Sequence, residues 1–252
     1  MFLTKIKISP LIVGIVCLLG IVYLQAQQYE RTSQKSTANN YLEEELAQKT
    51  QLTFDRELPD FGFNNLRADL TFLQYIQYFG DLRAREEIGY SLIPEYFAAI
   101  VDRDTKFTEA YLSLITANSL YAGEPQTTVD LMAKTLPYIN INTNSIKNIP
   151  ELWSQKGLDE LLLLGNIEAA KKSYQMSVYS ASQVHAKSGK ELSKDYWTTL
   201  EFLNKNPDTK AAQILAWTTV LSNIKEPKKR QEIINKINTL KQESVLLDSK
   251  DK

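Results

Sequence analysis

Apolar residues recur at three-and-four spacing through the middle of the chain and break at regular points. Tyr111, Leu112, Leu114 and Ile115 open a helical run that ends at Gly123. Pro125 starts a second run, through Val129, Met132 and Leu136 to Pro137. The plan then repeats: Trp153 and Leu158 through Leu164 form a run, Gly165-Asn166 a turn, and Ile167 to about Ser182 the return helix. Gly123 and Gly165 are 42 residues apart, as are Tyr111 and Trp153, and Gly80 lies 43 residues before Gly123 in a Phe79-Gly80-Asp81 turn. A glycine returning at that period after each apolar run predicts stacked helical hairpins, with Gly80, Gly123 and Gly165 at equivalent points.

Upstream, Phe63, Leu66, Leu70, Leu73, Ile76 and Tyr78 lie close to helical spacing, and Phe72, Tyr75 and Phe79 widen the face. A face that broad needs neighbours on more than one side. Arg67 and Asp69 within it read as an ion pair that fixes packing, or as a pair facing a ligand. The charged stretch from Asp81 continues as a helix until Gly89, and Pro94 starts another with Tyr96, Phe97 and Ile100. Leu136 to Pro150 is the longest break. Its prolines and Asn140, Asn142, Asn144 and Asn148 suit either a solvated spacer or part of a binding face. Beyond it come a helix carrying Tyr196 to Leu203, one through Ile214, Trp217 and Leu221, and a last one from Pro227 that would cap the apolar end of the array.

The N-terminal pattern differs. From Ile8 to Gln28 the chain is uncharged, and Leu11 to Leu24 is its most apolar part, 14 residues long. Residues 1–28 read as an uncleaved signal anchor crossing the lipid bilayer through residues 8–28; cleavage after Ala26 and a buried globular helix are the alternatives. Lys5 and Lys7 precede the run and Arg31 and Lys35 follow it, which tips the domain to the non-cytoplasmic side. Residues 29–58, rich in Gln, Ser, Thr and Asn at their start, read as a tether and a short helix. Residues 59–247 form the helical-repeat domain, and 248–252 a disordered tail.

Composition removes several functions. One cysteine, Cys17, and one histidine, His185, leave no cysteine or histidine cluster for a metal. No glycine-rich phosphate loop, zinc helix or elbow serine is present, so neither cofactor nor catalysis is expected. Net charge is −1, which provides no field for nucleic acid. Charge is nevertheless uneven: 13 acidic against 6 basic residues from Asp55 to Asp130, and 8 basic against 5 acidic from Lys225 to Lys252. That gradient can orient docking of a charged partner.

The hairpins at Glu109–Pro137 and Glu151–Ser182 resemble tetratricopeptide repeats. Phe107-x-x-Ala110-Tyr111 looks like the junction between repeats, and Leu161, Leu164-Gly165-Asn166, Ala169-Ala170 and Tyr174 look like a turn and second helix. The periods of 42 and 43 exceed the family's 34, and its usual proline matches at Pro137. The tract from Phe61 to Asp69, continuing to Phe79-Gly80-Asp81, is similar to that of membrane-linked helical-repeat proteins of cyanobacteria. Together these imply an all-α, degenerate tetratricopeptide-like helical-hairpin solenoid with an N-terminal transmembrane helix. They also imply a single-pass protein of the plasma or thylakoid membrane, serving as a scaffold or assembly factor for a membrane complex. A protein or peptide partner would lie on the concave side, with Asn118, Gln155, Arg67 and Asp69 as candidate contacts. Two other readings stay open: a permanent structural subunit, marked by an extended exposed apolar patch, and a small-ligand binder or enzyme, marked by a deep cavity with converging polar groups.

Overall fold

The computed structural model describes residues 10–34, 38–59, 62–139, 148–183 and 187–248, and every regular element within them is helical. The order is α1 (Pro10–Gln34), α2 (Ala38–Glu57), α3 (Asn64–Gly80), α4 (Leu82–Ile88), α5 (Ile93–Arg103) and α6 (Thr108–Thr116). There follow α7 (Pro125–Thr135), α8 (Ile149–Leu158), α9 (Ile167–Ser182), α10 (Lys187–Asn204), α11 (Lys210–Asn223) and α12 (Pro227–Asp248). The chain divides into two compact units, 1–44 and 45–252.

In the first unit the apolar run is helical, and its side chains from Ile15 to Leu24 are largely exposed. No helix among the described residues is long and apolar enough to cross a membrane. The expected transmembrane helix, the bilayer contact through residues 8–28 and the single-pass plasma- or thylakoid-membrane placement are therefore corrected. The uninterrupted apolar stretch is 14 residues, about 21 Å of helix against a hydrocarbon core of about 30 Å. Gln25, Gln27, Gln28, Glu30 and Arg31 then make the rest of α1 polar. Residues 1–9 lie outside the described residues, as do 249–252 of the expected tail. The stretch read as a tether is helical over 25–34 and 38–57, because Gln, Glu, Lys and Arg are good helix formers whatever their polarity.

In the second unit, α7 packs on the π-helical turn that continues α6, and α8 on α9; α6 also packs on α8, and α9 on α10. The repeat shows in the backbone. Each first helix ends in a π-helical turn, Ala117–Tyr121 and Asp159–Leu163, 42 residues apart. Ala122 N–H donates to the Ala117 carbonyl and Leu164 N–H to that of Asp159, while Glu124 N–H and Asn166 N–H reach Asn118 and Glu160 across the turn. Gly123 and Gly165 sit at φ +69° and +68°, left-handed backbone that a Cβ would penalise.

Gly80 is not the third member of this series. It ends α3 outside the left-handed region, and Gly89 takes that conformation instead, at φ +78° and 34 residues before Gly123. The cause lies in the intervening charged segment, which folds as α4 with the Asp81 side chain accepting from Ala84 N–H. The turn is thereby displaced toward α5, which packs against α3.

An aromatic network fills the space around α3 and α5. Phe72 meets Phe107 edge-on with centroids 5.3 Å apart, Tyr78 meets Tyr96 at 5.4 Å, and Phe79 touches both Tyr90 and Tyr121. Each such pair adds about 0.5–1.5 kcal/mol to area burial. Tyr111 and Trp153 belong to the same core, so consecutive hairpins share apolar surface.

The last helices lie along the turns. A Cβ on Gly89 would fall 3.3 Å from Lys225 Cγ, on Gly123 3.0 Å from Ile224 Cδ1, and on Gly165 3.2 Å from Gln213 Oε1. Trp217, Val220, Ile224, Ile233 and Ile237 form their own core with Leu163. Trp217 Nε1–H and Lys236 Nζ both donate to the Leu163 carbonyl at 3.1 Å, and Asn223 Nδ2–H donates to that of Leu120. These carbonyls belong to the π-helical turns, so the irregularity that marks each repeat also supplies acceptors for α11 and α12. Lys229 pairs with Glu124, so part of the charge gradient joins one piece of this unit to another.

Candidate functional site

Helix α3 is apolar on two sides. Ala68, Tyr75 and Tyr78 are buried, whereas Phe63, Leu66, Leu70, Leu73 and Ile76 remain 48–61% exposed. Their spacing of three and four places them on one face, and together they present roughly 400–500 Å² of apolar surface, near the top of what an ordinary monomer leaves open. Asp69 and Gln77 are exposed on the same side. Arg67 is turned away, about 200° around the helix from Asp69 by their spacing of two. Its guanidinium donates to the carbonyls of Asp55, Leu58 and Pro59, tying α3 to the end of α2.

A cavity of about 160 Å³ lies between α6 and α8 beside the π-helical turns, with Ala216 of α11 at one side. Ile115, Leu158 and Leu162 make it apolar; Thr116, Ser119, Gln155 and Asp159 give it a polar part. Asp159 is 8% exposed. Burial pushes its carboxyl up to about 7; a hydrogen bond from Ser119 opposes the shift and nearby Glu160 adds to it. Behind the cavity a polar chain continues. Ser119 Oγ lies 2.9 Å from Thr128 Oγ1, and Asn118 Nδ2–H donates to Thr128 Oγ1 at 2.8 Å and to the Glu124 carbonyl. Ser119 has a single proton. When it donates to Asp159 Oδ2, Thr128 must donate to Ser119 and release the Glu124 carbonyl it otherwise reaches.

Two further polar clusters are closed. Lys156 Nζ donates to Glu160 and to Ser173 Oγ, and Ser173 Oγ–H donates to Glu160 Oε2 at 2.6 Å. A serine beside a lysine is the pairing of Ser-Lys hydrolases, but Ser173 is 1% exposed and its hydroxyl is engaged on both sides. Such a triad fixes the packing of α8 on α9. Near α4, Tyr78 and Ser91 donate to Glu45 Oε1, and the Arg85 guanidinium lies 3.7 Å over the Tyr78 ring. Burial raises the Tyr78 hydroxyl far above its ordinary value, so it serves as a donor throughout the physiological range.

Of the residues predicted as contacts, the structure sets one in the cavity wall and one behind it. Gln155 lines it. Asn118 is fully buried behind it, with no partner for Oδ1 among the described residues. Arg67 and Asp69 lie away from these, on α3. His185 and Asn140, Asn142 and Asn144 fall outside the described residues. Sequence reasoning passed over Ser119, Asp159 and Glu160. The signal was the acidic pair set inside the apolar run from Leu158 to Leu164, where a helix offers it no solvated face.

No protein-family model, curated protein or solved structure matches this chain.

Proposed function

We propose that this chain is a non-catalytic protein-interaction scaffold or assembly factor whose partner lays an apolar helix face along α3. The observation that carries this reading is the exposed row Phe63, Leu66, Leu70, Leu73 and Ile76 on a helix whose opposite side is anchored in the core. The row is about 20 Å long, enough for three or four knobs of a partner helix to seat between its side chains. Because the buried side of α3 is held by Tyr75 and Tyr78, the row needs no refolding to receive a partner. At roughly 400–500 Å² the row is about half of one partner's share of a standard interface, the scale of an exchanging contact more than of a standing subunit. An enzyme reading has less support: the cavity beside Asp159, about 160 Å³, falls below the roughly 300–1,000 Å³ of ordinary ligand pockets, the larger hollow of about 510 Å³ beside Asn206–Lys210 lies open at a turn, and the Ser173 cluster has no access.

The test is affinity purification of the intact chain beside the double variant Leu70→Glu/Leu73→Glu, with helicity checked by circular dichroism. One stoichiometric protein bound to the parent and lost from an equally helical variant supports the proposal. Equal retention by both overturns it, as does sedimentation showing that the row joins only further copies of this chain. A partner that exchanges within minutes marks a scaffold; one that stays bound for days marks a permanent subunit.

A further inference from the structure

The cavity between α6 and α8 is distinct from the α3 row, and its chemistry is more specific. Its apolar walls end on one carboxyl group, from Asp159, with the Thr116 and Ser119 hydroxyls and the Gln155 amide nearby. Among the described residues Asp159 is the only charged side chain in the lining. Glu160 is occupied by Lys156 and Ser173, and Lys236 of α12 is directed to the Leu163 carbonyl. Among the described residues no cation therefore neutralises Asp159.

We propose that this cavity binds an alkylammonium group, the nitrogen against Asp159 and the aliphatic stem along Ile115, Leu158 and Leu162. Size fits, since a cavity of about 150 Å³ accommodates a molecule as large as benzene, and four methylenes with an ammonium are of that order. The donor count favours ammonium over guanidinium. A guanidinium carries five N–H donors in a fixed plane, and Thr116, Ser119, Gln155 and Asp159 of the lining would have to meet them all. An ammonium needs one carboxylate oxygen and further single acceptors, which hydroxyl and amide oxygens provide. The same chemistry occurs in a free primary amine and in a lysine side chain of a partner protein.

The carboxyl, held near neutrality by burial, would ionise fully on binding a cation, so binding near pH 7 should release about half a proton. That release separates cation recognition from simple filling of an apolar hole.

The experiment is calorimetric titration of the intact chain with n-butylammonium, N-acetyl-lysine amide and neutral 1-pentanol, in two buffers of different ionisation enthalpy. The expected result is n-butylammonium binding with proton release, weakened at least about tenfold by Asp159→Asn and abolished by Ala216→Leu, which fills the cavity from α11. Tighter binding of the capped lysine than of the free amine identifies a protein lysine as the occupant; the reverse order identifies a small amine. Equal binding of 1-pentanol and n-butylammonium overturns the proposal, as does an Asp159→Asn chain of unchanged affinity, or no binding of either cation. Leu70→Glu/Leu73→Glu should leave n-butylammonium binding intact, so the failure of either reading is separable from the other.

Discussion

The turn glycines permit a controlled test of how α11 and α12 are held. Gly62, Gly123 and Gly165 share a left-handed backbone but differ in what a methyl group would meet. At Gly62 it would enter open space, and at Gly165 it would touch the end of the flexible Gln213 side chain. At Gly123 it would lie 3.0 Å from Ile224 Cδ1, 3.2 Å from Lys229 Cε and 3.3 Å from Val220 Cγ1. Val220 and Ile224 are buried and packed against Leu163, so they have no room to retreat. Alanine in left-handed backbone costs about 1–2 kcal/mol at each of the three positions, and overpacking adds about 1–3 kcal/mol where neighbours are fixed. Gly123→Ala should therefore lose about 2–5 kcal/mol, against about 1–2 kcal/mol for Gly62→Ala and Gly165→Ala. Urea unfolding followed by circular dichroism measures this, since a surplus of about 2 kcal/mol moves the midpoint by roughly 1 M. Hydrogen exchange should also show α11 and α12 losing protection in Gly123→Ala alone. Equal losses at Gly123 and Gly165 would refute the idea that the C-terminal helices rest tightly on the second turn.

Gly157→Ala would place a Cβ 2.9 Å from Tyr174 Cδ2 and Cε2. Its gain in helix propensity of about 1 kcal/mol should be exceeded by overpacking, for a net loss of about 1 kcal/mol in thermal unfolding. Lys156→Met leaves Glu160 buried without its cation, and should cost about 3–5 kcal/mol; adding Glu160→Met should recover most of it, as a double-mutant cycle would measure. For Asp159, the folded carboxyl is raised from 3.8 to about 7. Below pH 4 both states hold the proton; as pH rises toward 7 the unfolded chain ionises first, and stability falls, by on the order of 4 kcal/mol over that window. Asp159→Asn should flatten this dependence in urea titrations between pH 4 and 8, and parallel curves would refute the assignment.

The spacing of apolar residues, Gly123, Gly165 and Pro125 determined the helical class and the 42-residue hairpin pair, because local periodicity and left-handed turns are written in adjacent residues. Asn118 and Gln155 read as inward polar positions on the first helices of those hairpins, for contact with a partner; the fold buries Asn118 and sets Gln155 in the cavity wall. The third repeat was misplaced at Gly80: both Gly80 and Gly89 follow helical stretches, and the cap that Asp81 gives α4 carries the turn on to Gly89. The face of α3 was too broad to assign from sequence, and tertiary contacts decided that Tyr75 and Tyr78 go inward while Leu66, Leu70 and Leu73 stay open. The apolar N-terminal run had the look of a membrane span, although its 14 residues fall short of the required thickness once α1 turns polar. Tertiary structure alone made the cavity. Ser119, Asp159 and Ala216 are far apart in the chain, and no local pattern records that α11 folds back across the turns to bring them together.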